Sequence, residues 1–334
     1  MSDKVLEIRN LNVTFPSLER NVHAIRNCTL HVNRGEILGL VGESGSGKSV
    51  TSMAALGLLG SSARVKGNIR VVGREIIDRS EAELQEIRGR KVAMIFQNPF
   101  TALNPFFQVG RQVLDALLNS HFMSKEEARK RVFQAFKDVH LPDPEIAFNR
   151  YPHQMSGGQL QRVMIAMALV CEPELLIADE PTTALDVTVQ AQIILLLREL
   201  VAKKNLSILF ITHDLGVVAA LCDRVAVMYA GMVVESGPVV DVLATPSHPY
   251  TSALMKTVPA LGQTKDDLSY IPGQVPDMSV PIIGCAFAER CTKVSEVCHK
   301  QAPPRRAVRT DQFSFCHNAS GPVALDEIVA GGRL

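Results

Sequence analysis

The sequence predicts an α/β protein built around a parallel sheet, with an antiparallel β-subdomain ahead of it and a helical subdomain inserted into it. Three observations predict this class. Apolar runs of strand length, "EILGLVG", "KVAMIFQ", "LLIADE" and "LSILFITHD", recur along the chain and mostly end in polar residues, a pattern that suits a parallel sheet buried on both faces. A glycine-rich loop follows the first run and leads into a helical pattern, "SVTSMAALGLL". Between the second and third runs, about 105 to 170, the spacing turns helical: in "EEARKRVFQAFKDVHL", Ala128, Val132, Phe136 and Val139 recur on one face.

The remaining elements follow in order. Residues 6 to 36 read as short strands, "LEIRNLNVTF" and "CTLHVNRGE", with turn residues between them. "DRVAVMYAGMVVESG" resembles a hairpin with Gly231 near its turn. After about 245 prolines become frequent and four of the seven cysteines appear. A small C-terminal module of residues 245–334 is expected there, behind a main domain of residues 1–244.

The totals narrow the function. A chain of 334 residues, 46% hydrophobic, can bury a substantial core. Its formal net charge of +1 gives no electrostatic footprint for nucleic acid. The longest apolar run, "VMIAMALVC" from Val163, is about nine residues, whereas a membrane-spanning helix needs about 20. "MSDKVLEIRN" lacks the apolar core of a secretory signal, so a cytosolic location with reduced thiols is expected.

"GESGSGKS" fits G-x-x-x-x-G-K-[ST] between a strand and a helix, the context this phosphate cradle needs. Glycines let the backbone curl around phosphate oxygens, and the amides and helix start favour negative charge. The expected nucleotide-binding set is Gly42, Glu43, Ser44, Gly45, Ser46, Gly47, Lys48, Ser49 and Val50. Lys48 reaches the β- and γ-phosphates, and the Ser49 hydroxyl binds Mg²⁺. In "LLIADEPTTALD", Asp179 and Glu180 follow four apolar residues. Successive strand side chains point opposite ways, so Asp179 can hold the Mg²⁺ shell while Glu180 polarises the attacking water. "FITHD" brings His213 to another strand end on the same ligand face, a third catalytic candidate. Gln97 closes "VAMIFQ".

"GESGSGKS", "FQNP", "MSGGQLQR", "LLIADEPTTALD" and "THD", in that order between residues 42 and 214, resemble the nucleotide-binding subunit of an ABC transporter. The resemblance implies a P-loop ABC ATPase core and explains the second Ser-Gly-Gly. In that family it faces the ATP held by a second subunit, so two ATPs are sandwiched between two chains. A capping Ser followed by two glycines at a helix start makes a second anion site. Ser156, Gly157, Gly158 and Gln159 would contact the partner's nucleotide, and Asp186 would lie at the dimer seam. Gln97 would join Ser49 and Asp179 around Mg²⁺. Phe15 would stack on adenine, unless it is a core Phe on a strand. Met155 replaces the family's usual Leu, and Thr183 its usual Ser, with size or hydroxyl character kept.

"SHPYTSALMKTVP" and "IPGQVPDMSVPIIGCAFAERC" resemble the extension of peptide-importer ATPases. That subgroup serves dipeptides, oligopeptides and a few other small solutes, including nickel complexes and glutathione. The resemblance implies a peripheral subunit on the cytoplasmic face of the cell's inner membrane. Its partners would be a second ABC ATPase subunit (a related paralogue or a second copy), two membrane-spanning permease subunits and, through them, an extracytoplasmic solute-binding protein, with no nucleic acid. ABC-type ATPases acting on DNA or ribosomes typically carry coiled coils, zinc modules or two ATPase units, none of which is evident here.

Cys285, Cys291, Cys298 and Cys316 give C-x5-C-x6-C-x17-C. Four thiolates can hold an iron–sulfur cluster or zinc, or stay unligated, and the family resemblance points to a [4Fe-4S] cluster. Basic residues nearby, Arg290, Lys293, Lys300, Arg305, Arg306 and Arg309, would offset an anionic cluster or form a solvated face. Cys28, Cys171 and Cys222 lie in or beside apolar elements and read as small core residues.

Overall fold

The computed structural model describes residues 4–17, 20–183, 185–257 and 270–320. The last two residues of "SHPYTSALMKTVP" and residues 321–334 of the expected C-terminal module lie outside them. The opening strands are longer than the sequence suggested. β1 (Lys4–Phe15) and β2 (Val22–Asn33) pair antiparallel, and β3 (Ile37–Val41) runs directly into the glycine loop and α1 (Lys48–Ala55). β4 (Arg64–Val71) and β5 (Arg74–Glu75) complete an antiparallel sheet in the order β2-β1-β4-β5.

α2 (Glu81–Ile87) and β6 (Val92–Ile95) return the chain to the core. A run of helices then follows: α3 (Pro99–Ala102), α4 (Val109–Ser120), α5 (Lys125–Asp138), α6 (Pro144–Phe148) and α7 (Gly157–Leu169). Ala128, Val132 and Phe136 face its core. β7 (Leu175–Asp179), α8 (Val187–Lys204), β8 (Ser207–Thr212), α9 (Leu215–Leu221), β9 (Arg224–Tyr229) and β10 (Met232–Pro238) complete the core, with β9 and β10 forming the expected hairpin through Ala230 and Gly231. β9, β3, β8, β7 and β6 lie parallel in that order. Their side chains alternate between two cores: Ile37, Val41, Ile208 and Phe210 face the helical side, whereas Leu38, Leu40, Leu209 and Ile211 face the β-subdomain. Burial on both faces accounts for the continuous apolar runs.

The C-terminal stretch does not stand apart. After α10 (Val239–Ala244), α11 (Pro249–Lys256) and α12 (Glu296–Lys300), the hairpin β11 (Arg305–Arg309) and β12 (Gln312–Phe315) adds to the core sheet, with β12 antiparallel to β10. Among the described residues this makes one eight-stranded sheet, β11-β12-β10-β9-β3-β8-β7-β6. Glu235 of β10 is fully buried and accepts from Ser247 N, His248 N and Gln312 Nε2 at 2.8, 2.9 and 3.0 Å.

His248 caps α11: its Nδ1 accepts from Tyr250 N at 3.1 Å. Only a neutral ring can accept there, and burial holds its pKa down from 6.5 to about 4. The unfolded chain therefore takes up the proton first. Stability is full above about pH 6.5 and declines as pH falls toward 4, by on the order of 3 kcal/mol for a shift of this size. His31, held down to about 4 mainly by burial, adds to the same slope. Thermal melts between pH 7 and 4 should show the decline. His248→Asn, which keeps a cap acceptor without the titration, should flatten it, and an unchanged slope would remove His248 as a cause.

Candidate functional site: the strand ends around the glycine loop

The site gathers where β3, β7 and β8 end. The first glycine of the loop has no room for a side chain, since a Cβ on Gly42 would lie 2.1 Å from the Met228 carbonyl oxygen on β9. Gly47, just before α1, has φ +105°, and a Cβ there would meet Ile25 Cδ1 at 2.7 Å. α1 begins at Lys48 with no side-chain cap and no acidic residue in its first turn, so its leading amides face the loop's concavity unanswered, the arrangement that attracts an anion.

Lys48 is buried, and its Nζ donates to Gly42 O at 2.8 Å and Glu43 O at 3.1 Å. Burial lowers its pKa, against the attraction of Glu180, Asp179 and Glu43. Ser49 Oγ lies 3.5 Å from Asp179 Oδ1 at the end of β7. Burial raises the Asp179 pKa, the Ser49 hydrogen bond opposes it, and the neighbouring Glu180 adds to it. A buried carboxylate whose charge is disfavoured and which faces a hydroxyl supplies hard oxygen donors of the kind Mg²⁺ takes.

Glu180 leaves the strand with φ +47°, a left-handed conformation rare for a side chain of this type. Its amide still donates to Ile211 O of β8 at 2.9 Å. The turn presents the carboxylate to three groups: Oε2 accepts from Gln97 Nε2 at 2.8 Å and from Thr183 Oγ1 at 3.0 Å, and Oε1 lies 3.2 Å from His213 Nδ1. Gln97, Glu180 and His213, each singled out from sequence, are thus joined by direct hydrogen bonds. Thr183 was noted in the sequence only as a departure from Ser.

The second glycine motif opens α7. Ser156 Oγ accepts from Gln159 N at 3.3 Å, and Gln159 Oε1 accepts from Ser156 N at 3.1 Å, a reciprocal cap. A Cβ on Gly158 would lie 2.7 Å from Val189 of α8, so the two helix starts are pressed together. Asp186 caps α8 by accepting from Val189 N at 2.9 Å. Phe15 is half-buried at the end of β1, opposite Val22, and packs against the β-subdomain core.

Two contacts on the loop come from the C-terminal stretch and were missed in sequence. Tyr250 Oη accepts from Glu43 N at 2.9 Å, and Arg290 pairs with the Glu43 carboxylate. Tyr250 stood in a motif with no role attached. Arg290 stood among six basic residues, and its side chain proves to be only 4% exposed.

Residues 25–183 match the family model for the ABC transporter, and residues 234–298 match that for the oligopeptide/dipeptide transporter C-terminal region. The chain belongs to the ABC transporter family. Among its ABC relatives, a probable peptide ABC transporter ATP-binding protein of Sinorhizobium fredii is 45% identical over 97% of this chain and 98% of that protein. The oligopeptide transport ATP-binding protein OppD of Salmonella typhimurium is 46% identical over 93% of each chain. A dimeric post-hydrolysis structure of the ATP-binding cassette MJ0796 with ADP and Pi superposes with a TM-score of 0.63, at 30% identity, over 70% of this chain and 98% of that one. This ABC subunit is accordingly an ATPase. Among its described residues no helix is long and apolar enough to cross a membrane.

The iron–sulfur expectation is overturned. Among the described residues, no group of three or more His, Cys, Asp or Glu side chains is placed to hold a metal ion, and the ABC relatives are named as ATP-binding proteins alone. Burial pushes the Cys285 thiol up to about 11 and raises Cys291 and Cys316 as well. Two of the sulfurs have hydrogen-bond partners close in sequence: Cys291 Sγ accepts from Lys293 N at 3.4 Å, and Cys298 Sγ lies 3.3 Å from Ser295 Oγ. Cys28, Cys171 and Cys222 are buried, free core residues, as their apolar settings suggested.

Proposed function

We infer that this chain is the ATP-hydrolysing subunit of a membrane importer for dipeptides or oligopeptides. The observation that carries the ATPase site is the convergence of Lys48, Ser49, Asp179, Glu180, Gln97 and His213 at adjacent strand ends. The solute class is supported by likeness to peptide-transport ATP-binding proteins that extends through the C-terminal stretch. The loop from Gly42 to Val50 cradles the ATP phosphates, and Lys48 offsets their charge. Ser49 and Asp179, joined by Gln97, would hold Mg²⁺, which when bound neutralises charge on the phosphate oxygens. Glu180, oriented by Gln97, Thr183 and His213, aligns and deprotonates the attacking water. His213 spends Nδ1 on Glu180 and keeps its other ring nitrogen for the γ-phosphate side. Phe15 stacks on adenine.

Ser156, Gly157, Gly158 and Gln159 serve the ATP of a second ATPase subunit across a seam that includes Asp186. The chain works at the cytoplasmic face of the membrane with that subunit, two permease subunits and an extracytoplasmic binding protein. Residues 1–244 form the nucleotide-binding domain, and residues from 245 onward form its transporter-type extension.

Reconstitution with the neighbouring permease, ATPase and binding-protein genes tests the solute class. A binding protein loaded with a di- or oligopeptide should raise ATP turnover in proteoliposomes several-fold, since a ligand that favours one state of the assembly shifts it toward that state. Stimulation by a nickel complex or glutathione, with none by peptides, would overturn it.

A further inference from the structure

Arg290 lies 247 residues beyond Glu43 in the chain, yet its guanidinium is turned into the start of the glycine loop. Its Nη1 donates to Glu43 Oε2 at 2.7 Å and Tyr229 Oη at 3.3 Å. Its Nη2 donates to Glu43 Oε1 at 3.0 Å and Ile271 O at 3.0 Å, and its Nε donates to Pro272 O at 3.0 Å. Each of its nitrogens is thereby engaged, and the two bonds to the carboxylate form a planar fork that a lysine cannot reproduce. Tyr250, fully buried, holds the same loop residue by its backbone, with Oη accepting from Glu43 N at 2.9 Å. Tyr229, Tyr250 and Phe287 pack ring to ring beneath the fork, at centroid separations of 4.6, 5.3 and 5.4 Å. Glu43 is also where the loop holds Lys48, because its carbonyl oxygen accepts from Lys48 Nζ.

We propose that the C-terminal stretch clamps the ATP-binding loop, with Arg290 and Tyr250 acting as positioning residues that fix Glu43 and through it Lys48. This rests on the reading of the Gly42–Val50 loop as the ATP site and adds a part that no loop motif contains. The clamp grips the second residue of the loop from its outer side by both side chain and amide, and leaves the amides at the start of α1 to the phosphates. An enclosed carboxylate–guanidinium fork has one well-defined geometry, so it fixes the loop's entry before ATP arrives and reduces the ordering that binding must supply. Linkage then requires the reverse effect: if the clamp favours ATP binding, ATP tightens the clamp.

The test uses the full-length chain and equilibrium binding of a fluorescent ATP analogue, with protease cleavage within residues 270–300 as a second readout. Arg290→Ala should weaken binding by about tenfold, and Arg290→Lys should restore only a part of that, as loss of a bidentate charged pair does. Glu43→Gln combined with Arg290→Ala should be no weaker than Arg290→Ala alone, since both remove one interaction. Tyr250→Phe, which keeps the ring in the core, should weaken binding by about threefold by leaving the Glu43 amide unpaired. It also carries the test if Arg290→Ala does not fold. ATP should slow cleavage within 270–300 in the parent chain and lose that protection in Tyr250→Phe. Binding within about twofold of the parent in Tyr250→Phe and Glu43→Gln, while Lys48→Ala abolishes it, overturns the clamp alone. Full binding by Lys48→Ala overturns the reading of the loop and the clamp with it.

Discussion

Glu180→Gln should lower steady-state ATP turnover by about 10²-fold or more while ATP binding persists, the usual consequence of removing a general base. The substitution is close to isosteric. The carbonyl half of the new amide can still accept from Gln97 or Thr183, which now meet the Glu180 carboxylate at 2.8 and 3.0 Å. What is lost is the basic oxygen and the pairing with His213 at 3.2 Å. The variant should accumulate with ATP bound and two chains closed together. Turnover within about threefold of the parent would take Glu180 out of the base's role.

Ser156→Arg should abolish hydrolysis at the nucleotide held by the partner subunit, by about 10²-fold or more, as loss of an oxyanion-type donor site commonly does. The side chain is placed at the lip of α7, where its hydroxyl now caps Gln159, so a bulky cation there obstructs closure over a second nucleotide. Labelling of this chain's own loop by a photoreactive ATP analogue should survive in the isolated chain. Loss of that labelling would mean that Ser156 serves its own loop. Ser156→Asn, which keeps a capping acceptor, separates closure from the cost of uncapping the helix.

How legible each feature was depended on how local its cause is. The parallel strands could be read because a strand buried on both faces must be apolar along its middle, as residues 175–178 and 208–211 are. The glycine loop was legible because its tight backbone and the close approach at Gly42 demand glycine whatever lies elsewhere. Glu180 and His213 could be named because each follows such a strand, whereas Gln97, an ordinary polar strand end by itself, was named through the family resemblance. The extent of α1 was misjudged: it stops at Ala55, and Gly57 follows with its amide turned back to Ala54 O at 3.0 Å. The C-terminal hairpin was not seen at all, because "RRAVR" and "QFSF" are too short and too polar to stand out as strands. The clamp on Glu43 escaped for a different reason. Its partners are 207 and 247 residues away, and no spacing rule joins residues so distant. The cysteines misled because spacing along the chain does not fix whether side chains are placed to hold a metal ion, and among the described residues they are not.

The hairpin that completes the core sheet also decides how that sheet ends. Without it β10 would present unpaired backbone groups to solvent, and Glu235 would lose its bond from Gln312. With it the outermost strand among the described residues is β11, which carries Arg305, Arg306 and Arg309 within five residues. Arg305 lies over the Phe313 ring at 4.2 Å, and Arg309 reaches back to Asp241 at 3.1 Å. A short border strand crowded with like charges is a poor template for a foreign strand, because an approaching copy would set arginine against arginine. Three arginines on a strand of five residues are thus one of the devices by which a sheet margin discourages edge-to-edge pairing with another chain.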